Sequence, residues 1–227
     1  SMKIAHILDI LAPRRGRRAV VLCDGPPPAA ETLASCLHHD DLFIATDAAG
    51  QPFTKLSRPP DVVIGDFDTL GIPPDDNSTT QFIHAIGQNT TDSEKALDHA
   101  AQAGCVDAVV LGALGGLFDH SLSNAALPER FSWLLNVILV SDDDVTIRVA
   151  AGDQGFWDLP PQTLISLTPV GPGARGVDFD GVRWPLKGAD LSWAGASTIS
   201  NHVVDTPTRL SVSGGSLLFT VRKGLVP

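Results

Sequence analysis

The sequence is poor in the residues that typify disulfide scaffolds, nucleic-acid binders and membrane spans. Its three cysteines are widely spaced and form no Cys-x-x-Cys pair, which excludes a disulfide framework or structural zinc site and suits a reducing compartment. Sixteen Lys and Arg stand against 26 Asp and Glu, a formal charge of −10, so a nucleic-acid partner is not expected. No apolar run approaches the ~20 residues of a membrane span, so no membrane partner is expected either.

The composition nevertheless supports a folded core. Hydrophobic residues make up 43% of the 227 positions and charged residues 19%, which excludes wholesale disorder. An apolar run at residues 19–23 follows an arginine-rich stretch but ends at Asp24. It is shorter than the ~7–15 apolar residues of a secretion signal. We therefore expect a cytoplasmic protein.

The distribution of apolar runs predicts two domains. Strand-like runs at 19–23, 42–46, 61–64, 106–111 and 137–140 alternate with helix-like stretches at 31–38, 91–103 and 121–135. This alternation predicts an α/β domain with a mostly parallel sheet over residues 1–145. Short runs broken by Gly, Pro and Asp follow at intervals of roughly ten residues. They predict an all-β sandwich over residues 146–227.

Acidic residues follow two of the predicted strands. Ligands of parallel sheets collect at the carboxyl ends of the strands. Asp66 and Asp68 follow one strand, and alternate residues of an extended segment share a face. Their mutual repulsion favours a divalent cation, although a solvated acidic loop also explains them. Asp47 follows another strand, where a helix N-cap is the alternative.

Two later segments have helix-start and loop signals. Thr91 and Glu94 have the spacing of a capping box, with Asp92 in the first turn and Lys95 three residues further. A well-capped surface helix explains these residues equally well. Between a predicted strand and helix lie three glycines whose N–H groups can turn toward an anion: Gly112, Gly115 and Gly116. Their spacing matches neither a Walker A loop nor a dinucleotide fingerprint.

Further polar and aromatic residues remain open to two interpretations. Asp119 and His120 end the glycine loop, as a structural pair or as a catalytic histidine with its carboxylate. Residues 197–201 hold four hydrogen-bonding side chains, which can bind a polar heterocycle or form a turn. Trp184 and Trp193 are expected to be core or interface aromatics.

Taken in order, these motifs resemble the thiamine pyrophosphokinase family. The resemblance rests on the turn at Asp47, Gly65-Asp-Phe-Asp-Thr69 and residues 91–97, 112–120, 165–170, 181–186 and 197–201. It implies a nucleotide-binding α/β domain and a thiamine-binding β-sandwich. The implied reaction transfers a diphosphate from ATP to the thiamine hydroxyl and releases AMP. The family is generally homodimeric, with thiamine between the sandwich of one subunit and the nucleotide domain of the other.

The resemblance also implies roles for individual residues. Four carboxylates would hold Mg²⁺ against the ATP phosphates, namely Asp47, Asp66, Asp68 and Asp92. The catalytic group would comprise Asp66, Asp68, Asp92, Lys95 and Asp119. The nucleotide would also contact Asp47, Gly112, Gly115, Gly116 and His120. The thiamine contacts would be Thr198, Ser200 and Asn201.

The sequence departs from the family pattern in three places. Residues 48–50 are Ala-Ala-Gly where the family has Gly-Gly-Ala, Asn89 replaces an Asp, and Leu117 replaces an Arg. An arginine at that position can bind phosphate bidentately. Two alternatives therefore stay open. One is a catalytically weakened sensor of thiamine or a nucleotide, and the other is a diphosphotransferase acting on another heterocyclic alcohol such as a pterin.

Overall fold

The chain folds into two compact units. The computed structural model describes residues 2–47, 49, 58–67, 79–85, 87 and 89–225. One unit is Arg14–Ser141, and the other combines Ser1–Pro13 with Asp142–Pro227. We call them the parallel unit and the antiparallel unit, after the pairing of their strands. Within these described ranges no helix is long and apolar enough to cross a membrane.

The parallel unit is a parallel sheet with helical connections. Its strands are β1 (Arg18–Leu22), β2 (Leu42–Thr46), β3 (Val62–Gly65), β4 (Gln81–His84), β5 (Asp107–Leu111) and β6 (Asn136–Val140). Its helices are α2 (Ala30–Cys36), α3 (Asp92–Gln102), α4 (Phe118–Ala125) and α5 (Leu127–Arg130). All of these strands pair in parallel, in the order β4-β3-β2-β1-β5-β6.

Burial explains the helices and strands of the parallel unit. Every residue of β1 and of β5 is buried, as expected for parallel strands covered on both faces. The Ala96–Leu97 face of α3 packs into the same core as Val21 and Val110. Because β1 lies between β2 and β5, the direction in which successive strands are added reverses between β1 and β5. Such a reversal opens a crevice at the carboxyl ends of the two strands.

The antiparallel unit contains one helix and seven described strands. They are α1 (Ile4–Leu11), β7 (Asp144–Ala150), β8 (Gln154–Trp157), β9 (Thr163–Asp180), β10 (Leu186–Leu191), β11 (Asn201–His202), β12 (Thr208–Ser211) and β13 (Gly214–Leu225). The long strand β9 pairs antiparallel with β10, β11, β12 and β13. Helix α1 packs on β7 and β13. Stacking of Trp157 on Phe219, with centroids 4.5 Å apart, contributes to the core.

The predicted fold class is confirmed: a mostly parallel α/β region precedes an antiparallel β-rich region. Some elements differ from the prediction. Helix α1 was not predicted, and it belongs to the antiparallel unit although it opens the chain. The single helix predicted over 121–135 is two shorter ones, because Pro128 in the first turn of α5 cannot donate a hydrogen bond to α4. Within the motif 181–186 only the last residue, Leu186, belongs to a strand, β10.

Candidate functional site

The carboxyl edge of the parallel sheet carries a cleft of about 1040 Å³. Its walls come from the segments after β1 and β3, the start of α3 and the connection from β5 to α4. The cleft therefore lies at the reversal point between β1 and β5, where doubly wound sheets bind ligands. It is lined by seven of the predicted site residues, Asp66, Asp92, Lys95, Gly112, Gly116, Asp119 and His120.

Asp47 is not among the residues that line the cleft, and it lies in close contact with Gly65. Its N–H donates to the Ile64 carbonyl over 2.9 Å, and the residue is only 6% exposed. A Cβ added to Gly65 would lie 2.7 Å from the Cβ of Asp47. Only glycine therefore allows the turn after β2 to approach the end of β3 so closely.

The chain turns sharply after Asp66. Phe67 has a φ of 59°, which is uncommon for a bulky residue, and its ring packs 6.0 Å from Phe82 and 5.8 Å from His84 of β4. Packing on β4 thus holds the turn and leaves Asp66 on the cleft wall. The next predicted carboxylate, Asp68, lies outside the described residues.

The predicted capping box is present at the start of α3. The Thr91 side chain accepts the Glu94 N–H, and the Glu94 carboxylate accepts the Thr91 N–H over 2.7 Å. Lys95 Nζ donates to Asp92 over 2.8 Å and to the Ala85 carbonyl over 2.9 Å. The helix is thus well capped, and its first turn also faces the cleft. The two interpretations of this segment are compatible.

Glu94 anchors α3 through its charge. Burial raises the pKa of its carboxyl, but the Thr91 N–H and the paired Arg130 guanidinium outweigh that effect and leave the pKa below its ordinary value. The carboxylate is therefore ionised at neutral pH and ties the start of α3 to α5. This interaction holds Asp92 and Lys95 in place relative to the cleft.

Two loops meet at the base of the cleft. A Cβ on Gly112, which has a φ of 68°, would lie 2.6 Å from the Cys23 carbonyl oxygen, and a Cβ on Gly25 would collide with the Gly112 carbonyl. Pro26 packs against Gly116. The segment after β1 therefore supports the glycine loop by direct backbone contact.

The glycine loop is held partly by its own hydrogen bonds. Gly115, with a φ of 91°, donates its N–H to the Ser121 hydroxyl over 3.2 Å, and Asn124 Nδ2 donates to the Ala113 carbonyl over 2.9 Å. Asp119 Oδ1 accepts the backbone N–H of His120 over 2.9 Å. The predicted Asp119–His120 pair is thus a main-chain contact, and the imidazole is exposed.

Sequence reasoning missed Asp24 as a cleft residue. Partial burial and the nearby Asp92 carboxylate raise the pKa of Asp24. Beside it, burial raises the pKa of the Cys23 thiol to about 11, and Ser93 Oγ lies 3.2 Å from its sulfur. The signal that could have found Asp24 is the one that identified Asp47 and Asp66, an aspartate directly after a buried strand.

The lining of the cleft is acidic. It holds four carboxylates and one ammonium group, those of Asp24, Asp66, Asp92, Asp119 and Lys95. Carboxylate oxygens are preferred ligands of hard divalent cations, and a polyphosphate beside them requires a neutralising cation. The donor set therefore fits a hard divalent cation. In the described parts of the chain, no three Asp, Glu, His or Cys side chains already converge as an ion site.

The antiparallel unit has a smaller pocket of about 140 Å³. Its lining residues are Leu167, Phe179, Trp184, Leu186, Ser197, Thr198, Ile199 and Asn201. Thr198 Oγ1 donates to the Leu167 carbonyl over 2.6 Å. Ser200 has a φ of 57° and donates its N–H to Ser166 Oγ over 3.0 Å. Two predicted thiamine contacts thus line this pocket, and Ser200 is in the loop between them.

Trp184 is the second site residue that sequence reasoning missed. It is 54% exposed and forms one wall of this pocket, so it is not a core aromatic. The Arg183 guanidinium lies 5.2 Å from its ring centroid. The signal that could have found it is its place in the motif 181–186, on which the family resemblance partly rests.

Comparison with known proteins assigns both units to one family. Residues 33–133 match "Thiamin pyrophosphokinase, catalytic domain" and residues 142–217 match "Thiamin pyrophosphokinase, vitamin B1 binding domain". The two matches together span most of the chain. The chain belongs to the thiamine pyrophosphokinase family. The cleft lies mainly in the first matched region and the small pocket in the second.

Individual relatives agree with this assignment. Thiamine pyrophosphokinase 1 of Oryza sativa subsp. japonica is 28% identical over 192 residues, covering 74% of this chain and 67% of that protein. Thiamin pyrophosphokinase 1 of Caenorhabditis elegans is 25% identical over 211 residues, covering 87% and 86%. The crystal structure of thiamine pyrophosphokinase from Bacillus subtilis has the same fold, with a TM-score of 0.77 at 19% identity, covering 92% of this chain and all of that one.

Proposed function

We propose that this protein transfers the β,γ-diphosphate of ATP to the hydroxyl of thiamine, giving thiamine diphosphate and AMP. The observation that carries the proposal is the acidic cleft at the reversal point of the parallel sheet, in a chain of this family. The small pocket in the region matched to the vitamin B1 binding domain supports thiamine as the acceptor. The parallel unit would then be the nucleotide-binding domain and the antiparallel unit the thiamine-binding domain. Residues 1–13 and 142–145 belong to the second of these, not to the first domain as the sequence predicted.

The reaction requires positioning and charge neutralisation. The thiamine hydroxyl oxygen bonds to Pβ of ATP, the bond from Pβ to the oxygen bridging Pα breaks, and that oxygen leaves with AMP. The hydroxyl proton passes to water or a base. Such transfers need little covalent chemistry from the protein. Lys95 has three N–H donors, of which Asp92 and Ala85 take two. The third is available to a phosphate oxygen.

The carboxylates fit a metal-bound nucleotide. We propose that Asp66 and Asp92 hold Mg²⁺, together with Asp47 and Asp68. When bound, the metal would neutralise charge on the phosphates and on the departing oxygen. Gly65 and the capping box of α3 set the positions of the described ligands. Asp119 and the backbone of Gly112 and Gly116 would complete the nucleotide site, with His120 at its rim. Gly115, also predicted to contact the nucleotide, instead donates its N–H to Ser121 and supports the loop.

On the thiamine side, we propose that Ser200 and Thr198 contact the pyrimidine ring. Thr198 uses its hydroxyl proton on Leu167, so its oxygen remains an acceptor. Ser200 uses its N–H on Ser166, and its hydroxyl extends from an exposed turn. A heterocycle with both donors and acceptors suits these two groups.

We also propose a cytoplasmic homodimer with thiamine bound at the subunit interface. Large apolar side chains are exposed in both units, those of Leu117 (68%), Phe118 (81%), Trp133 (78%), Trp193 (72%) and Ile199 (64%). Exposure of this kind is typical of surfaces that assembly covers. All three cysteines are buried thiols, as suits a reducing compartment. Sedimentation equilibrium should give twice the 23.9-kDa chain mass, and a monomer at micromolar concentration would contradict the dimer.

Product analysis tests the reaction. Purified protein, ATP, Mg²⁺ and thiamine should give AMP and thiamine diphosphate in equal amounts, with no AMP when thiamine is omitted. Asp66→Asn should abolish turnover and leave the circular dichroism spectrum unchanged. ADP with thiamine monophosphate would refute the diphosphate transfer. Binding of thiamine or ATP without release of AMP would support the sensor alternative. Turnover only with a pterin alcohol would support a diphosphotransferase that acts on another heterocyclic alcohol.

A further inference from the structure

The side-chain amide of Asn201 is committed almost entirely to Trp184. Asn201 Nδ2 donates to the Trp184 carbonyl over 2.8 Å, and Asn201 Oδ1 accepts the Trp184 N–H over 3.2 Å. Oδ1 also accepts the His202 N–H over 2.8 Å. An amide has two acceptor lone pairs and two N–H donors. One N–H of Asn201 therefore remains for any other partner.

The amide extends a short antiparallel ladder by one rung. Val182 pairs with Val203, and the Arg183 N–H donates to the His202 carbonyl over 2.9 Å. The next rung would place Trp184 opposite Asn201. There the side-chain amide offers the same donor and acceptor as a peptide group, and it supplies the missing pair of bonds. The main chain of Trp184 is thus fixed to β11 by Asn201.

The placement of Asn201 is itself well determined. It is 9% exposed and pairs with Ile165 of β9. Ser200, directly before it, has a positive φ that few non-glycine residues adopt. The turn at Ser200 directs the amide of Asn201 toward Trp184 while its backbone stays in the sheet.

Trp184 in turn shapes the small pocket. Its side chain lines the pocket together with Leu167 and Thr198, and its ring lies 5.8 Å from His202. Loss of the two bonds from Asn201 would free the main chain that carries this indole. The indole would then no longer be held at the pocket wall.

We propose that Asn201 is a positioning residue for thiamine, which fixes Trp184 so that the indole forms a wall for the heteroaromatic ring. This role rests on the proposed function and differs from the direct hydrogen bond to the pyrimidine that the family resemblance implies. Aromatic walls strengthen binding of nucleobase-like rings by about 10–100-fold. We expect Asn201→Ala to weaken thiamine binding to a similar extent and to leave kcat within about twofold.

A double-mutant cycle tests how Asn201 acts. Equilibrium dialysis gives the Kd for thiamine of the wild type, Asn201→Ala, Trp184→Leu and the double variant. If Asn201 acts through Trp184, the double variant binds thiamine as weakly as Trp184→Leu alone. If the two fold-changes multiply, Asn201 contributes independently of the indole and the proposal is overturned. Asn201→Asp keeps the acceptor for the Trp184 N–H but sets a carboxylate oxygen against the Trp184 carbonyl. It replaces Asn201→Ala in the cycle if that variant fails to fold, and a wild-type Kd in Asn201→Asp overturns the proposal.

A measurement without ligand separates this proposal from the proposed function. In a Trp133→Phe, Trp193→Phe background, Trp184 remains exposed while Trp157 is buried on Phe219. Acrylamide quenching then reports mainly on Trp184. Asn201→Ala should change the quenching constant, whereas Gln154→Ala, at an exposed position of β8, should not. Unchanged quenching in Asn201→Ala overturns the positioning role, whereas a wild type that binds no thiamine refutes the proposed function.

Discussion

Replacing Gly65 by alanine should displace Asp47 or the end of β3 and so disturb the candidate site. The added Cβ would lie 2.7 Å from the Asp47 Cβ and 3.2 Å from its Cα, where carbon atoms normally stay about 3.5–4.0 Å apart. Asp47 or the end of β3 must therefore move by about 1 Å. Overpacking of this kind costs about 1–3 kcal/mol, and the lower chain entropy of unfolded alanine offsets about 0.4–1 kcal/mol.

The net loss of stability for Gly65→Ala is thus about 1–2 kcal/mol. For a chain of this size that lowers Tm by roughly 2–8 °C. A 1 Å displacement of a catalytic group lowers activity by about 100-fold. The value of kcat/KM should therefore fall far more than the loss of folded protein alone would explain. Gly87→Ala is the matched control, because Gly87 also lines the cleft but a Cβ there meets no atom within 4 Å. Thermal unfolding and steady-state kinetics measure both effects. A Gly65→Ala variant with wild-type Tm and kcat/KM would refute the steric argument.

Three further predictions concern charges and thiols. Because the fold lowers the pKa of Glu94, its stabilisation is complete above its unfolded pKa and is lost as pH falls through the folded value. Glu94→Gln should therefore lower stability by about 2 kcal/mol at pH 7, and urea titrations should show the difference vanishing in acid. With a Cys23 pKa of about 11 and all three thiols buried, Ellman's reagent at pH 8 should react rapidly only after denaturation, and fast labelling of native Cys23 would contradict its burial. Asp24→Asn removes repulsion from Asp92. This substitution should stabilise the metal-free protein by about 0.5 kcal/mol, because solvent screens the repulsion. It should also raise the Mg²⁺ concentration that gives half-maximal activity. A less stable variant would show that the repulsion between Asp24 and Asp92 does not affect stability.

The sequence predicted those parts of the fold that depend on local signals. Strands β1, β2 and β5 each contain four consecutive apolar residues, and the cap of α3 involves residues only three positions apart. Strand β4 was missed because its exposed polar ends interrupt the apolar pattern. Helix α1 has apolar residues at helical spacing, so its existence was detectable. Its packing on strands near the other end of the sequence was not.

The candidate site was likewise predictable only in part from the sequence. Asp66, Asp92 and Lys95 follow strand ends or begin a helix, and the structure brings them to one cleft. The bond between Asn201 and Trp184 spans 17 positions and depends on a positive φ at Ser200. No periodicity or spacing encodes such a contact. The sequence therefore predicted which residues meet in the site only where the order of strands and helices alone brings them together.

The attachment of α1 to the antiparallel unit has a consequence during synthesis on the ribosome. The helix is synthesised about 200 residues before β13, one of the two strands it packs against. At a synthesis rate of about 5–20 residues per second, roughly 10–45 seconds pass between the synthesis of α1 and that of β13. During that time the apolar face of α1, which includes Ile7 and Leu8, lacks its contact with β13. The parallel unit can fold in the meantime, because its strands and helices are complete by Ser141. Until β13 is made, nascent chains should therefore carry an apolar helix that at most β7 covers, while the parallel unit is already folded, and a chaperone could bind the exposed part.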